Sequence, residues 1–533
     1  MFETVIQGGL LIDGSGRPAF SADLAIEKGK IAAIGHGLQG KTQINARGKI
    51  VTPGFIDIHR HGDAEVFRKG FGSLELAQGL TSMVNGVCGL SLAPFGQAHR
   101  RELLQYLKPV TGDLDPTIPT ESMEAYLSAL KNLPLNVGMM VGGGTVRSDI
   151  MGYGAEDPTD YRPIHRAIEQ ALSQGALGVS LGLGYAPECF YSTESMIRAL
   201  APLQDSPYPI AVHMREEGDM VCEAIEEMLT VAKALRCPLH ISHLKAMGKR
   251  NWNKRIPTAL SLLDKAKAEG MEVSCDVYLY EAGSTQLLHL LPPEFLIGGV
   301  DAISYRLSLP EEIDKLRQRI ETGKDFDNIA QMIGWENIIV SSAQFPEHQV
   351  LIGKTMEEIS EILHMDPVAC LCALLSKERC AVTMIDKINN EEDICRILKH
   401  PLSSVISDAT YPVKGLPHPR VYATYSRLIE TYVMEKQVLT LEEAVQKATS
   451  LPAKAMKLKG KGLLQVGMDA DINIFDPKNI HAHSTFLDPR KLSTGMDYVF
   501  VSGRASIEKG ISTTCRCGNI LVSKFFCEHI TTP

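Results

Sequence analysis

The sequence lacks the features that mark export, membrane insertion or nucleic-acid binding. No basic stretch stands out in a chain whose net charge is −9, so we expect no nucleic-acid partner. No apolar run reaches the roughly 18 residues that a membrane span needs, so we expect no membrane partner. The residues from Met1 to Val5 form neither a basic n-region nor the start of an apolar h-region. This predicts no signal peptide and a cytoplasmic protein.

Dense cysteine spacing is also missing. The 12 cysteines are scattered along the chain, which indicates reduced thiols in a protein of this size without an export signal. Near the carboxyl end, Cys515, Cys517, Cys527 and His529 do not follow a standard zinc spacing. We interpret these cysteines as ordinary thiols, with a separate metal site as the alternative. No internal repeat or low-complexity tract is present either.

Short β-prone runs stand at both ends of the 533-residue chain, whose length suits one large domain and a smaller companion. Residues 4–6 and 10–12 are predicted strands, with a turn at Gly8 and Gly9 between them. Residues 469–475 and 498–501 have the same character. Because chain termini often lie close together, we expect residues 1–54 and 460–533 to form one small β-sandwich domain.

Between these segments, over residues 55–459, short apolar runs alternate with helical stretches, for example at 163–173, 220–235 and 257–268. This rhythm predicts parallel strands with crossover helices, and eight such units fit a (β/α)8 TIM-type barrel. An open doubly wound sheet is the rival, but no glycine-rich dinucleotide turn follows the first strand. The interval at about 290–400 is too long for one crossover and is expected to hold an inserted subdomain. The eight predicted strands end near Ile58, Val84, Val141, Ser180, Val212, Ser242, Val277 and Ser407.

Histidines stand where several predicted strands end. His59 and His61 close the first strand, and residues two apart on a strand face the same side. Both imidazoles can therefore face one metal, while Arg60 points away. His213 and His243 close the fifth and sixth strands and can share a metal. His240 is out of step with His243, and we interpret it as structural.

Two further strand ends carry polar groups whose role the pattern leaves open. Cys88 follows the second strand, where a thiolate can bind zinc, although most free cysteines are small buried hydrophobes. Asp408 follows the eighth strand, where it can be a metal ligand and a general base, or only a helix N-cap. Position favours the functional interpretation of Asp408, because in such barrels the chemistry lies at the carboxyl ends of the strands.

Several motifs together resemble a known family. Residues 51–61 (VTPGFIDIHRH) resemble the opening of the amidohydrolase superfamily. Within that superfamily, five further motifs resemble the N-acyl-D-amino-acid deacylase (D-aminoacylase) family, and the resemblance runs from residue 3 to about residue 522. These motifs are 86–94 (GVCGLSLAP), 213–219 (HMREEGD), 241–245 (ISHLK), 276–280 (DVYLY) and 418–422 (HPRVY).

The resemblance implies a zinc site and an activity. Cys88, His213 and His243 would hold one tightly bound zinc ion, and His59 and His61 a second, weaker metal position. Asp408 would act as metal ligand and general base in hydrolysis of an N-acyl-D-amino acid to a carboxylic acid and a free D-amino acid. The substrate carboxylate would bind Lys245, Tyr278 and Ser284, for which a surface lysine, a packing tyrosine and a turn serine are the structural alternatives.

Three departures from the family pattern concern the substrate pocket more than the metal site. Residues 286–291 (QLLHLL) lack the arginine that family members often carry to clamp the carboxylate, and a planar bidentate partner is not easily replaced. Residues 142–144 are all glycine where a histidine often precedes glycine, and Val87 stands where asparagine is usual. A hydrolase of cyclic amides, such as hydantoins, lactams or dihydroorotate-like compounds, therefore stays open as the alternative. A non-catalytic metal-binding protein is the weaker rival, and homo-oligomerisation is left open.

Overall fold

The structure, a computed structural model, describes residues 1–96, 98–412 and 414–525. Its strands sort into four hydrogen-bonded sheets. In the described residues the strands are β1 (Phe2–Leu11), β2 (Phe20–Glu27), β3 (Lys30–Gly35), β4 (Gly40–Asn45), β5 (Ile50–Pro53), β6 (Phe55–Asp57), β7 (Leu80–Asn85), β8 (Asn136–Met139), β9 (Val141–Gly142), β10 (Val179–Gly182), β11 (Ile210–His213), β12 (Leu239–Ile241), β13 (Val273–Val277), β14 (Gly283–Gln286), β15 (Ile338–Ser342), β16 (Thr383–Asp386), β17 (Ser403–Val405), β18 (Ile472–Phe475), β19 (Met496–Val501), β20 (Arg504–Glu508) and β21 (Ile511–Ser512).

Helices fill most of the intervals between the parallel strands. The last long one continues from an α-helix into a π-helix over Leu428–Glu435. In the described residues the α-helices are α1 (Ser73–Ala77), α2 (Arg100–Thr111), α3 (Met123–Ala129), α4 (Gly143–Met151), α5 (Arg162–Ser173), α6 (Thr193–Ala199), α7 (Val221–Leu235), α8 (Arg255–Ala268), α9 (Gly299–Arg306), α10 (Pro310–Thr322), α11 (Ile329–Ile333), α12 (Met356–Leu363), α13 (Pro367–Lys377), α14 (Glu391–Lys399), α15 (Arg420–Arg427), α16 (Leu441–Ala448) and α17 (Ser450–Ala455).

Parallel strands carry the central part of the molecule. One sheet has the order β6-β7-β8 and another the order β9-β10-β11-β12-β13-β17. Only Met140 separates β8 from β9, so a single chain segment joins the two sheets. Beyond β6 and β17, the Asp408 amide donates to the His59 carbonyl at 3.0 Å and the His61 amide to the Ala409 carbonyl at 2.9 Å. Each of the eight predicted strands is present and ends within two residues of the expected position.

The crossover helices form because each presents an apolar stripe to the strands. In α7 the buried residues include Val221, Ile225, Met228 and Leu235. Successive members are four, three and seven residues apart, so they lie on one face of the helix. The helix ends at Arg236, which adopts a left-handed conformation with φ of 51°. The predicted helices at 163–173, 220–235 and 257–268 match α5, α7 and α8 to within two residues at each end.

The long interval between β13 and β17 contains six helices of the described chain, α9 to α14, and an antiparallel sheet of order β14-β16-β15. The sheet begins at Gly283, a few residues before the expected start of the inserted subdomain near residue 290. The sequence of this interval indicates helices and does not predict the sheet. Its strands have only four or five residues, too few for a periodicity to be recognised. Through β14 and β16 this inserted segment reaches the ends of the parallel strands.

Strands from both ends of the chain form one nine-stranded sheet of order β21-β20-β19-β18-β5-β1-β2-β3, with β4 also paired to β1. The turn expected at Gly8 and Gly9 is wrong. Both lie inside the single strand β1, where the register shifts at a bulge and Gly8 has a φ of 67°. A Cβ atom at Gly9 would lie 2.5 Å from the Val51 side chain, so close packing requires glycine here.

In the described part of the chain, no single helix is long and apolar enough to cross a membrane. One pair, Met356–Leu363 and Pro367–Lys377, reaches that length and composition only when joined across an 89° bend.

Candidate active site

The residues predicted at the strand ends converge on one cavity. His61, Cys88, His213, His243 and Asp408 all line it, and His59 lies directly beneath. Three of them adopt the left-handed backbone conformation that is uncommon outside glycine. The φ values are 53° at Cys88, 36° at His243 and 50° at Asp408. Such conformations cluster at functional sites, where the surrounding structure holds a side chain in one direction.

His59 and Cys88 form the deepest part of this cluster. The His59 Nε2 atom lies 3.1 Å from Cys88 Sγ, which lies 3.4 Å from Nε2 of His243. On the other side, His59 Nε2 and His61 Nε2 lie 3.6 and 3.4 Å from Oδ1 of Asp408. The structure therefore brings the first-strand histidines, the thiol and the carboxylate together.

His213 and His243 meet at the adjoining side of the cavity, with His213 Nδ1 3.1 Å from His243 Nε2. Glu217, a residue the sequence interpretation did not select, lies among them. Its Oε1 atom is 2.9 Å from Nδ1 of His243, and its Oε2 atom is 3.7 Å from Nε2 of His213. At hydrogen-bond distance from His243, this carboxylate can orient that ring, and it adds a negative charge near His213.

Behind the cluster, Asp276 holds the β12 end in place. Its Oδ2 atom lies 2.7 Å from Nε2 of His240, and its Oδ1 atom accepts a hydrogen bond from the backbone amide of His243. His240 also contacts the Ser274 hydroxyl at 2.8 Å. His240 thus faces away from the cavity and supports Asp276, as its position in the strand predicts.

The Lys245 amino group lies inside the cluster. It donates to Glu217 Oε2 at 2.6 Å and to the His243 carbonyl at 3.0 Å, and it lies 2.9 Å from Nδ1 of His243. The surface-lysine alternative is excluded because Lys245 is 4% exposed.

Tyr278 and Ser284 both line the cavity. The Tyr278 hydroxyl is buried and has no hydrogen-bond partner among the described residues. The Ser284 carbonyl accepts a hydrogen bond of 3.1 Å from Arg420 Nη2, and the Arg420 guanidinium lies 4.8 Å from the centre of the Tyr278 ring. Tyr278, Ser284 and Arg420 therefore lie together in the cavity lining.

Burial and charge set the protonation of these groups. Burial lowers the pKa of His59 and of His213 well below 6.5, so both rings are neutral and have a free lone pair. Burial opposes the ionisation of Asp408, but the Arg420 guanidinium and the neighbouring histidines together outweigh it and hold the Asp408 pKa well below its usual range. Burial raises the pKa of Cys88. A cation bound beside the thiol would reverse that effect.

The donor set fits a transition-metal ion. Neutral imidazoles, a thiol and carboxylates are the ligands that zinc prefers, and the buried Nδ1 of His61 has no partner among the described residues. Ligand atoms lie within 4.8 Å of one another in each of three groups, and His243 is shared by two of them. The groups are His59, Cys88 and His243; His59, His61 and Asp408; and His213, Glu217 and His243.

Comparison with known proteins identifies the family of this chain. The model of an amidohydrolase family matches residues 344–507. A D-aminoacylase of Alcaligenes xylosoxydans xylosoxydans is 31% identical over 526 residues, 98% of this chain and 97% of the relative. The chain belongs to the D-aminoacylase family of amidohydrolases. An N-acyl-D-aspartate deacylase of the same organism is 32% identical, over 94% of this chain and 91% of the relative.

A solved structure extends the similarity to three dimensions. The N-acyl-D-glutamate deacylase of Bordetella bronchiseptica, complexed with zinc and a phosphonate inhibitor that mimics the tetrahedral intermediate, has a TM-score of 0.82 to this chain at 28% identity. The match covers 98% of this chain and 100% of that one.

Near Ser284, where family members often carry an arginine a few residues further along, the structure places an arginine from another segment of the chain. Arg420 is fully buried, its Nη2 atom lies 3.0 Å from Oδ2 of Asp408, and its Nε and Nη1 atoms have no partner among the described residues. Its only signal in the sequence is the motif at 418–422. Glu217 has a signal too, since it follows His213 by four residues.

The carboxyl-terminal thiols stay outside these clusters. Cys515 and Cys517 approach to 2.8 Å between their sulfur atoms, and neither belongs to a three-ligand group in the described part of the chain. Cys527 and His529 lie outside the described residues.

Proposed function

We propose that this protein is a zinc-dependent amidohydrolase that cleaves N-acyl-D-amino acids to a carboxylic acid and a free D-amino acid. The observation that carries the proposal is the convergence of Cys88, His213, His243 and Asp408 on one cavity. The full-length similarity to D-amino-acid deacylases, one of them solved with zinc, supports the same activity.

Zinc would be held by the residues that the sequence selects. When bound, the metal supplies acidified water and polarises the amide carbonyl. His243 contacts both Cys88 and His213 and so stands between the ligands of the tight position. The proposed ligands of the tight zinc are Cys88, His213 and His243, and those of a second, weaker position are His59, His61 and Asp408.

Asp408 is the proposed general base. The low pKa that Arg420 and the neighbouring histidines together produce keeps it a carboxylate at neutral pH, so it can take a proton from the attacking water. It can then deliver that proton to the nitrogen of the leaving amine. Its contacts with His59 and His61 hold Oδ1 at the centre of the site.

The part of the cavity lined by Arg420 and Tyr278 is proposed to bind the substrate carboxylate. Arg420 offers unpaired N–H groups, and Tyr278 offers an unpaired hydroxyl. Lys245 and Ser284 stand beside them in the cavity. A carboxylate anchored here would fix the amide over the metal ligands and select the configuration at the α-carbon.

The architecture around the site is also a proposal in its finer features. We infer that the eight parallel strands close into a (β/α)8 barrel over residues 55–459, with an inserted subdomain at about 290–400. The pairing beyond β6 and β17 supports closure. Residues 1–54 and 460–533 are proposed to form the small β domain, of which the nine-stranded sheet is the described part. We also propose that the protein is cytoplasmic, and its oligomeric state is open.

The decisive experiment is metal analysis followed by a substrate panel. We expect at least one zinc per chain and faster hydrolysis of N-acetyl-D-leucine than of its L-isomer. Hydantoin and dihydroorotate-like compounds complete the panel. Faster cleavage of the L-isomer would contradict the proposed stereochemistry, and preference for a ring would favour the cyclic-amide alternative.

A further inference from the structure

Asp386 is a cavity carboxylate that the proposed reaction does not use. It is the last residue of β16 and pairs with Gly283 of β14, so the inserted sheet delivers it to the site. The residue is 2% exposed and lines the same cavity as the metal ligands. Its Oδ1 atom has no hydrogen-bond partner among the described residues. A buried carboxylate oxygen left in this state strongly favours a donor from a ligand.

The two cations of the cavity are already committed to other carboxylates. Lys245 lies 2.6 Å from Oε2 of Glu217, and Arg420 lies 3.0 Å from Oδ2 of Asp408. Lys245 and Arg420 act on Asp386 through space, but neither lies within hydrogen-bond or ion-pair distance of it in the described structure. Asp386 is therefore the acidic group of the cavity without a dedicated cation in the described chain.

Glycine at position 283 allows Asp386 to approach the backbone of β14 closely. A Cβ atom at Gly283 would lie 2.9 Å from Oδ1 of Asp386 and 3.4 Å from the Tyr278 hydroxyl. The backbone at Gly283 therefore packs closely against two polar atoms that have no hydrogen-bond partner among the described residues, one a carboxylate oxygen and one a hydroxyl. Arg420, where the substrate carboxylate is proposed to bind, lies beside them, because its Nη2 atom donates to the carbonyl of Ser284.

We propose that Asp386 recognises the side chain of the D-amino acid, favouring side chains that end in an N–H donor (amide, amine or guanidinium) and rejecting carboxylate side chains. This inference rests on the proposed deacylase function. An N–H donor on the substrate side chain would give Oδ1 of Asp386 the hydrogen bond that it lacks. A carboxylate side chain would instead place a second negative charge beside Asp386 at a desolvated site. The specificity would differ from that of the relatives named for aspartate and glutamate.

The alternative is a purely electrostatic role, in which Asp386 only balances the positive charge of Lys245 and Arg420. In that case it would make no contact with the substrate side chain, and an uncharged isostere would change all substrates alike. A pair of isosteric substrates separates the two roles because glutamine and glutamate differ in charge and hydrogen bonding but hardly in shape.

The test compares kcat/KM for N-acetyl-D-glutamine and N-acetyl-D-glutamate with the zinc-loaded protein, with N-acetyl-D-leucine as an uncharged reference. We expect glutamine to exceed glutamate by about 100-fold or more, and Asp386→Asn to reduce that ratio at least about 10-fold. Asp393→Asn is the matched control. Asp393 is also a buried carboxylate of the inserted segment whose Oδ1 accepts no hydrogen bond within the described residues, but it does not line the cavity, and its variant should keep the wild-type ratio.

Two results would overturn the proposal. One is glutamate cleaved as fast as glutamine by the wild type, and the other is an unchanged ratio in Asp386→Asn. The wild-type ratio needs no variant, so a folding defect in Asp386→Asn does not remove the test. If none of the three D-amides is cleaved, the deacylase function itself falls, and the role of Asp386 falls with it.

Discussion

Arg420 Nη2 lies 3.0 Å from Oδ2 of Asp408 within the cavity. The arginine thereby connects the proposed general base with the proposed binding site of the substrate carboxylate. It contributes most among the groups that keep Asp408 ionised, and its Nε and Nη1 atoms have no hydrogen-bond partner among the described residues.

Replacing Asp408 with asparagine should abolish turnover while zinc content holds. The amide keeps the shape but cannot take a proton, and general-base catalysis contributes about 100- to 10,000-fold. Measuring kcat and zinc stoichiometry on the same preparation separates the loss of a base from the loss of metal. A variant with near-normal kcat would remove Asp408 as the base.

Arg420→Lys should raise KM by about 10- to 100-fold, because a point charge cannot reproduce the N–H geometry of the guanidinium. Steady-state kinetics on N-acetyl-D-leucine measure the change. Arg396→Lys is a suitable control, since Arg396 is a half-exposed helix residue paired with Asp393. Unchanged KM in Arg420→Lys would assign the carboxylate to other residues.

Cys88→Ala should lower zinc stoichiometry below that of the wild type and lower the melting temperature of the metal-loaded protein. A metal that binds only the folded state stabilises it, so losing one of the three proposed ligands of the tight zinc should remove part of that stabilisation. Cys237→Ala, at another buried free thiol, should retain its zinc. Chelation should lower the melting temperature of the wild type more than that of Cys88→Ala. Full zinc content in Cys88→Ala would exclude the thiol as a ligand.

Asp276→Asn should weaken zinc binding about 10- to 100-fold, although Asp276 is not a proposed ligand. It accepts from the His243 backbone and contacts His240, and such outer contacts orient the ligands of a metal site. Competition with a chelator of known affinity measures the effect. Excess zinc should restore activity to this variant, and failure to do so would indicate a folding defect instead.

The local parts of this structure could be predicted from the sequence. His59, His61 and Asp408 stand directly after strands, so the apolar runs that reveal the strands also place the side chains. The assignment of Cys88 as a metal ligand requires further information. A lone thiol is typical of a small buried hydrophobe, and only the family motif at 86–94 favours a ligand.

Groups contributed by distant segments could not be predicted in this way. Asp386 reaches the cavity through the pairing of β14 with β16, strands separated by about one hundred residues of mostly helical chain. Strands of four residues have no readable period, and nothing in the sequence beside Asp386 indicates a site. Arg420 is a similar case, since its approach to Asp408 and Ser284 depends on tertiary packing.

The position of β5 in the nine-stranded sheet has a consequence for synthesis on the ribosome. β5 pairs with β1 on one side and with β18 on the other. In the sequence, however, all of the parallel strands lie between Pro53 of β5 and Ile472 of β18. At about 5 to 20 residues per second, β18 emerges roughly 20 to 80 seconds after β5. During that interval the nascent chain has an open strand edge, which favours pairing with other chains. Chaperone contact early in translation would therefore protect this protein at β5.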